Sequence, residues 1–304
     1  MAIEKIQITD RESWLKLRQQ DITASVAGAL LSDHSGGAGR RVHPYATAYA
    51  LWMLKSGRIT DDAEETPPMR RGRLLESVAV QMLREDRPEW KIEPYPVGFY
   101  FRDPAARVGK PLVVQIKSVE ASVFRQEWHD EQGDVTPPLW IVVQAILEAK
   151  LTGAERAFVA PLVVSYGLDM PIIEVPIHSG VYDRVKAEVA AFWALVESGT
   201  APDPDLARDG EIIARIFPRD DGSVIDLSGD NQMPELVDQL VTARADIKSA
   251  VAREKEAKGG ILAKMGAASF ARIADGRRVS CKLIQRSGYS VGPTAFRATK
   301  IISR

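Results

Sequence analysis

The sequence predicts an α/β protein: a mixed central sheet flanked by helices, with a C-terminal extension made of a long helix and a small β unit. Three observations predict it. A short apolar strand, Leu112-Val113-Val114-Gln115-Ile116-Lys117-Ser118, precedes an apolar helix over 139–151 and two further apolar strands over 157–164 and 172–177. An aromatic and β-branched run over 90–101 supplies a neighbouring strand, with Pro94 and Pro96 marking an edge. Past Thr200 the composition changes, which divides the chain into a core over 1–200, an acidic connection over 201–234 and an extension over 235–304.

Composition bounds the class. With 304 residues, 45% hydrophobic and 27% charged, the chain is globular and long enough for a sizeable core. No apolar run approaches the roughly 20 residues of a membrane span. The N-terminus, with Glu4, Lys5 and Asp10, lacks a signal-peptide profile, so a cytoplasmic location is expected. A single cysteine, Cys281, leaves no internal disulfide, and His34, His43, His129 and His178 have no zinc spacing. A bound metal would need oxygen ligands. Net charge is −1, but it is unevenly placed: ten acids against three bases over 201–238, then nine bases against Asp275 over 259–304. The basic tail reads as a solvated surface, a phosphate-facing patch or a contact to an acidic neighbour.

A first helix runs over 10–17, with Asp10 as N-cap, Trp14 and Leu17 on its inner face and Arg18 at its end. Asp21-Ile22-Thr23-Ala24-Ser25 is a loop leading to a small-residue helix over 26–31, with Ser25 at its start. Arg18 and Ser25 together offer a fork of donors and a hydroxyl for a phosphate; equally, Ser25 is only a cap. The stretch 32–41, with Gly36, Gly37 and Gly39, is a loop without a nucleotide fingerprint. A helix over 45–56 carries Leu51, Trp52 and Leu54. Pro67-Pro68 starts another over 69–83, whose apolar stripe of Val80 and Leu83 also carries Glu76. Glu76 is either the edge of that stripe or a carboxylate held toward a metal. Gly72, four residues earlier, allows a close backbone approach.

On the central strand, Gln115 and Lys117 share one face. They are either a strand end reaching solvent or half of a metal-dependent nuclease motif. In that motif the first side chain holds a divalent ion and the lysine orients the attacking water. After a polar loop over 128–138, the helix over 139–151 turns Trp140, Val143, Leu147 and Leu151 inward, with Gln144 amid them. A buried amide needs partners, and the charged end of the central strand is the expected one. A covering helix follows over 182–196. The helix over 235–258 presents Leu236, Leu240, Ile247 and Val251 as a stripe suited to a partner helix, and Gly259-Gly260 is expected to end it. Strands over 271–275, 277–283, 289–293 and 296–301 complete a small β unit.

Four separated pieces, Arg18 with Ser25, Gly72 with Glu76, Gln115-Ile116-Lys117, and Gln144, fall in the order and approximate spacing of one family. Over roughly 10–177 the chain resembles the YqaJ-like viral recombinases, the phage lambda exonuclease family of the PD-(D/E)XK nuclease superfamily. The resemblance implies a PD-(D/E)XK core and a magnesium- or manganese-dependent exonuclease that degrades one strand of duplex DNA from a 5′ end during phage recombination. Arg18 and Ser25 would grip a terminal phosphate, Glu76 and Gln115 would hold the metal, Lys117 would be the catalytic lysine, and Gln144 would support substrate or water. Double-stranded DNA ends, a single-strand annealing protein and further copies of the chain are the implied partners, with no membrane.

Two departures qualify the likeness. The family carries a metal-binding Asp on the strand ahead of the lysine strand, whereas here Val108-Gly109-Lys110-Pro111 runs straight into Leu112, with Asp103 and Glu93 the nearby acids. Gln115 stands where the motif prefers Asp or Glu. An amide gives a hard cation an oxygen but no charge, so magnesium binding would depend on the DNA and cleavage would be slow. Two rival readings follow: a DNA-end-binding protein that has lost cleavage, and a module docking a partner through the long helix.

Overall fold

The structure, a computed structural model, describes residues 10–33, 40–60, 65–95, 98–102 and 111–285. The strands expected over 289–293 and 296–301, the junction at 108–110 and Asp103 lie outside the described residues. The chain forms two compact units, Met1–Ile216 and Phe217–Arg304.

In the first unit, α1 (Arg11–Gln20) starts at Asp10, whose carboxylate accepts the Ser13 N–H at 2.7 Å. α2 (Ala24–Ala27) passes into a 3-10 turn (Gly28–Leu30). Its N-cap is Thr23, so Ser25, expected to start the helix, sits inside the first turn with its hydroxyl 3.0 Å from that of Thr23. Two short strands, β1 (Ser32–Asp33) and β2 (Arg40–Arg41), pair antiparallel. α3 (Ala48–Lys55) is capped by the Thr47 hydroxyl, and α4 (Pro67–Asp86) by that of Thr66 with prolines in its first turn, where a missing N–H costs nothing.

The run over 90–101, expected as one strand, is a hairpin of β3 (Lys91–Tyr95) and β4 (Gly98–Arg102), with Tyr95 opposite Gly98. Pro94 lies on β3, the outermost strand, where a missing donor is tolerated. β5 (Pro111–Glu120) follows, then α5 (Ala121–Glu127), which the sequence reading did not anticipate. Next come α6 (Leu139–Thr152), β6 (Arg156–Val164), β7 (Leu168–Asp169), β8 (Ile173–Val175), α7 (Ser179–Ser198) and α8 (Gly210–Ile216).

The sheet order is β3-β4-β5-β6-β7, with β8 also on β6. β5 and β6 are parallel and the other pairs antiparallel, so the sheet is mixed and the Lys117 strand is central. Parallel neighbours need a crossover, which α5, the loop after it and α6 provide. Gly153, at φ 71°, closes α6 in a left-handed cap that a side chain would strain and returns the chain to β6.

β5 alternates between two packed faces. Leu112 and Val114, with Ile116, meet Ala79 and Leu83 of α4. On the other face Val119, with Ala157 and Val159 of β6, meets Ile141, Ala145, Ile146 and Ala149 of α6. Val143 and Leu147 of α6 turn away from the sheet toward Ala27 of α2 and Val185 of α7. This helix is therefore buried on both sides, and of its expected inward residues Leu151 is 42% exposed. Trp128, read as part of a loop, is 2% exposed and packs in the α6 core.

Residues 201–216, expected in the extended connection, instead fold back on this unit. Asp209 is 1% exposed and accepts the Thr47 hydroxyl at 2.5 Å, while Arg208 donates to the carbonyls of His43 and Ala46. Ile212 and Ile216 of α8 pack on the cluster around Trp52 and Phe192.

The second unit contains α9 (Gln232–Met265) and a hairpin of β9 (Phe270–Arg272) and β10 (Arg278–Ser280). α9 runs through Gly259 and Gly260, where the sequence reading ended it. Glycine lowers helix stability by about 1 kcal/mol but keeps its N–H, so flanking turns carry it through, whereas proline would not. Arg278 and Lys282 lie over the Phe270 ring at 5.5 and 4.6 Å.

Candidate active site

β4 leaves β5 early: the last β4–β5 pair toward the C-terminal end of β5 is Phe99 with Val114, so among the described residues Gln115 to Glu120 are paired only with β6. A cleft of about 1100 Å³ lies along this stretch. Glu76 and Gly72 of α4 line it, as do Gln115 and Lys117 of β5 and Trp140 and Gln144 of α6. The structure thus brings four of the expected site residues, Glu76, Gln115, Lys117 and Gln144, to one cavity.

Three of these side chains are bonded in series. The Lys117 ammonium donates to Gln144 Oε1 at 2.8 Å, and Gln144 Nε2 donates to Gln115 Oε1 at 2.9 Å. Gln115 Nε2 donates to the Ile116 carbonyl at 2.9 Å. Lys117 Nζ also lies 5.0 Å from the centre of the Trp140 ring. Burial lowers the lysine pKa, and the Glu148 carboxylate raises it. Beside it, Arg71 donates to the hydroxyl and carbonyl of Ser118 at 3.0 and 3.3 Å, which ties α4 to β5.

Glu148 is the residue that the sequence reading missed. It lies one turn beyond Gln144 on α6, is 3% exposed, and accepts Gln144 Nε2 at 2.8 Å. Burial pushes its pKa up to about 7, against the opposing pulls of Gln144 and Lys117. A signal was present: a glutamate four residues after a buried glutamine, flanked by Leu147 and Ala149.

Arg18 and Ser25 are not among the residues lining this cleft. Ser25 reaches its wall through His43, which is 5% exposed. His43 Nδ1 accepts the N–H groups of Tyr45 and Ala46, so Nε2 carries the hydrogen and donates to the Ser25 carbonyl at 3.0 Å. Burial holds the imidazole pKa down, and its ring meets Trp140 edge-on at 5.2 Å. The Arg18 carbonyl accepts from the Asp21 N–H and from the Lys55 ammonium.

Among the described residues no group of three or more His, Cys, Asp or Glu side chains converges on one point. Glu76 supplies one charged oxygen donor, and Gln115 Oε1, already bonded to Gln144, keeps a second lone pair. Magnesium commonly binds through one or two carboxylates completed by substrate phosphates, and the chemistry of these two donors suits such a partial cage. β4 ends at Arg102, opposite Pro111 and six strand positions from Lys117, or about 20 Å. No described helix is long and apolar enough to cross a membrane.

No family model matches the chain, and no curated protein matches it. Among solved structures, it is similar to an alkaline exonuclease, LHK-Exo, from Laribacter hongkongensis, at 16% identity over 67% of this chain and 100% of that one, with a TM-score of 0.43. The same enzyme in complex with dAMP gives 17% identity over 62% and 93% of the two chains, with a TM-score of 0.42. A Eubacterium rectale protein solved as a candidate exonuclease gives 13% identity over 74% and 99%, also with a TM-score of 0.42. Likenesses at these scores carry no weight for activity, which has to be argued from the side chains of the cleft.

Proposed function

We infer that the chain is a magnesium-dependent exonuclease of the PD-(D/E)XK type, acting on the ends of double-stranded DNA. The observation that supports this reading is the bonded series Lys117–Gln144–Gln115 facing the same cleft as Glu76, along a stretch of β5 that β4 does not pair. Glu76 and Gln115 would hold magnesium or manganese, which when bound polarises the scissile phosphate and acidifies a water. Lys117 presents its ammonium to a phosphate oxygen and orients the attacking water. Gln144 holds that ammonium in place and holds the Gln115 oxygen by a hydrogen bond. Gly72, whose missing Cβ leaves open space, admits the DNA backbone beside α4. Arg18 and Ser25 would grip a 5′-terminal phosphate and so give 5′-to-3′ polarity. The role fits phage-type recombination, in which a single-strand annealing protein takes up the product strand and several copies of the chain assemble.

A second reading, a DNA-end-binding protein without cleavage, is favoured by the neutral Gln115 and by the lack of a converging acidic cluster among the described residues. Incubating blunt, 5′-phosphorylated duplex with the protein and magnesium separates the two. Acid-soluble nucleotides, released slowly and only with the metal, support the exonuclease. Salt-sensitive end binding without release supports the second reading, because phosphate contacts weaken as salt rises. Neither binding nor release would remove both.

A further inference from the structure

Gln144 stands between three side chains, and one orientation of its amide satisfies all of them. The Lys117 ammonium can only donate, so the atom it meets at 2.8 Å is the amide oxygen. The amide nitrogen then spends its two hydrogens on Gln115 Oε1 at 2.9 Å and Glu148 Oε1 at 2.8 Å. Of these partners, Lys117 and Gln115 line the cleft, whereas Glu148 is not among its lining residues and meets it through Gln144. The carboxylate is poorly served there. Its Oε2 is buried with no hydrogen-bond partner among the described residues, and burial pushes its pKa up to about 7. An apolar residue of similar size would occupy the place at lower cost. A buried acid that costs stability, with its one bonded oxygen on the residue that braces a cleft lysine, points to function.

The charged group acting on Glu148 is Lys117 of β5, across Gln144. Of the other elements packed against α6, α2 and the 3-10 turn carry no ionisable side chain. α7 turns Asp183, Arg184 and Lys186 to solvent and pairs Glu188 with Arg184. Arg156 of β6 is paired with Glu174 of β8, and Glu120 at the end of β5 accepts from Ser122.

We propose that Glu148 is a positioning residue for the cleft: its carboxylate fixes the Gln144 amide with oxygen toward Lys117 and nitrogen toward Gln115, and so holds both cleft side chains. What that arrangement serves rests on the exonuclease reading; the arrangement itself does not. Without Glu148 the amide nitrogen loses one of its two acceptors, and only Lys117 and Gln115 oppose its turning over, which would point a donor at the ammonium and an acceptor at the Gln115 oxygen.

The test reads the Gln144 side-chain amide by 1H–15N NMR in the full chain, its signals assigned by their loss in Gln144→Leu. In the parent protein the pair should exchange slowly with water and shift with pH about a midpoint near 7. Glu148→Gln, which is isosteric and keeps an acceptor, should abolish that titration while retaining slow exchange. Glu148→Leu should lose the slow exchange as well. In the nucleotide-release assay, Glu148→Leu should lower kcat about tenfold or more with KM for duplex ends unchanged, and Glu148→Gln should recover part of the loss. An amide pair indifferent both to pH and to Glu148→Leu would overturn the proposal. Should Glu148→Leu fail to fold, loss of the titration in Glu148→Gln still supports it, and a titration that persists there overturns it. The NMR response in a protein that releases no nucleotides would uphold the positioning role and remove the exonuclease reading.

Discussion

Glu148 couples the cleft to pH through the stability of the fold. Its folded-state pKa, about 7, lies above its ordinary value of 4.5, so the folded chain binds this proton more tightly than the unfolded chain does. Its contribution is therefore fully present below about pH 4.5 and is lost as pH rises through about 7, a difference of order 3 kcal/mol. Glu148→Gln should remove that slope. Urea unfolding of parent and variant at pH 5 and pH 8 would show the parent losing ground relative to the variant at the higher pH, and parallel behaviour would contradict the burial argument. Gln115, Lys117 and Gln144 could be picked out of the sequence because each is polar on a face that is otherwise apolar. Glu148 was harder to pick out, since its only signal is its place one turn after Gln144, and α6 is packed on both sides, which a single amphipathic stripe does not show. At the proposed 5′-phosphate grip, Arg18→Ala should weaken the preference for phosphorylated over hydroxyl ends, measured by competition binding. A parent protein that binds both ends equally would remove that assignment.

Among the elements, the long runs were the legible ones. The strand at 112–118, the helix at 139–151 and the covering helix at 182–196 carry enough periodic apolar residues for their type to be evident, and the structure extends them by three, one and five residues. The misreadings sit where one local signal has two uses. Pro94 and Pro96 signal an edge, and Pro94 lies on the outermost strand, but the run they punctuate holds two strands, β3 and β4. Gly259-Gly260 was taken as a stop, yet both glycines lie inside α9. An added Cβ at either position meets nothing within 4 Å. Gly259→Ala and Gly260→Ala should therefore each stabilise α9 by about 0.5–1 kcal/mol, seen as a later loss of helical circular dichroism on heating. Destabilisation by either change would mean that the helix does break there. Leu236, Ile247 and Val251 of the expected stripe on the same helix are exposed, and Leu240 is half-buried.

For the whole molecule, a mixed sheet brings residues distant in sequence to one place. Because the pairing of β4 with β5 reaches no further than Val114, the cleft opens beside Gln115 and Lys117, with α4 bringing Glu76 and α6 bringing Gln144. Each of these fragments is weak in isolation, and their meeting at one cavity is what supports a shared chemical task. The central claim is that Lys117 serves phosphate cleavage there. Its most direct test compares parent and Lys117→Ala in magnesium-dependent release of nucleotides from blunt, 5′-phosphorylated duplex, with end binding measured on the same samples. The account predicts slow release by the parent that stops without magnesium, and loss of release with retained binding in Lys117→Ala. Equal release by the two proteins, or none by the parent at saturating magnesium and DNA, would contradict it.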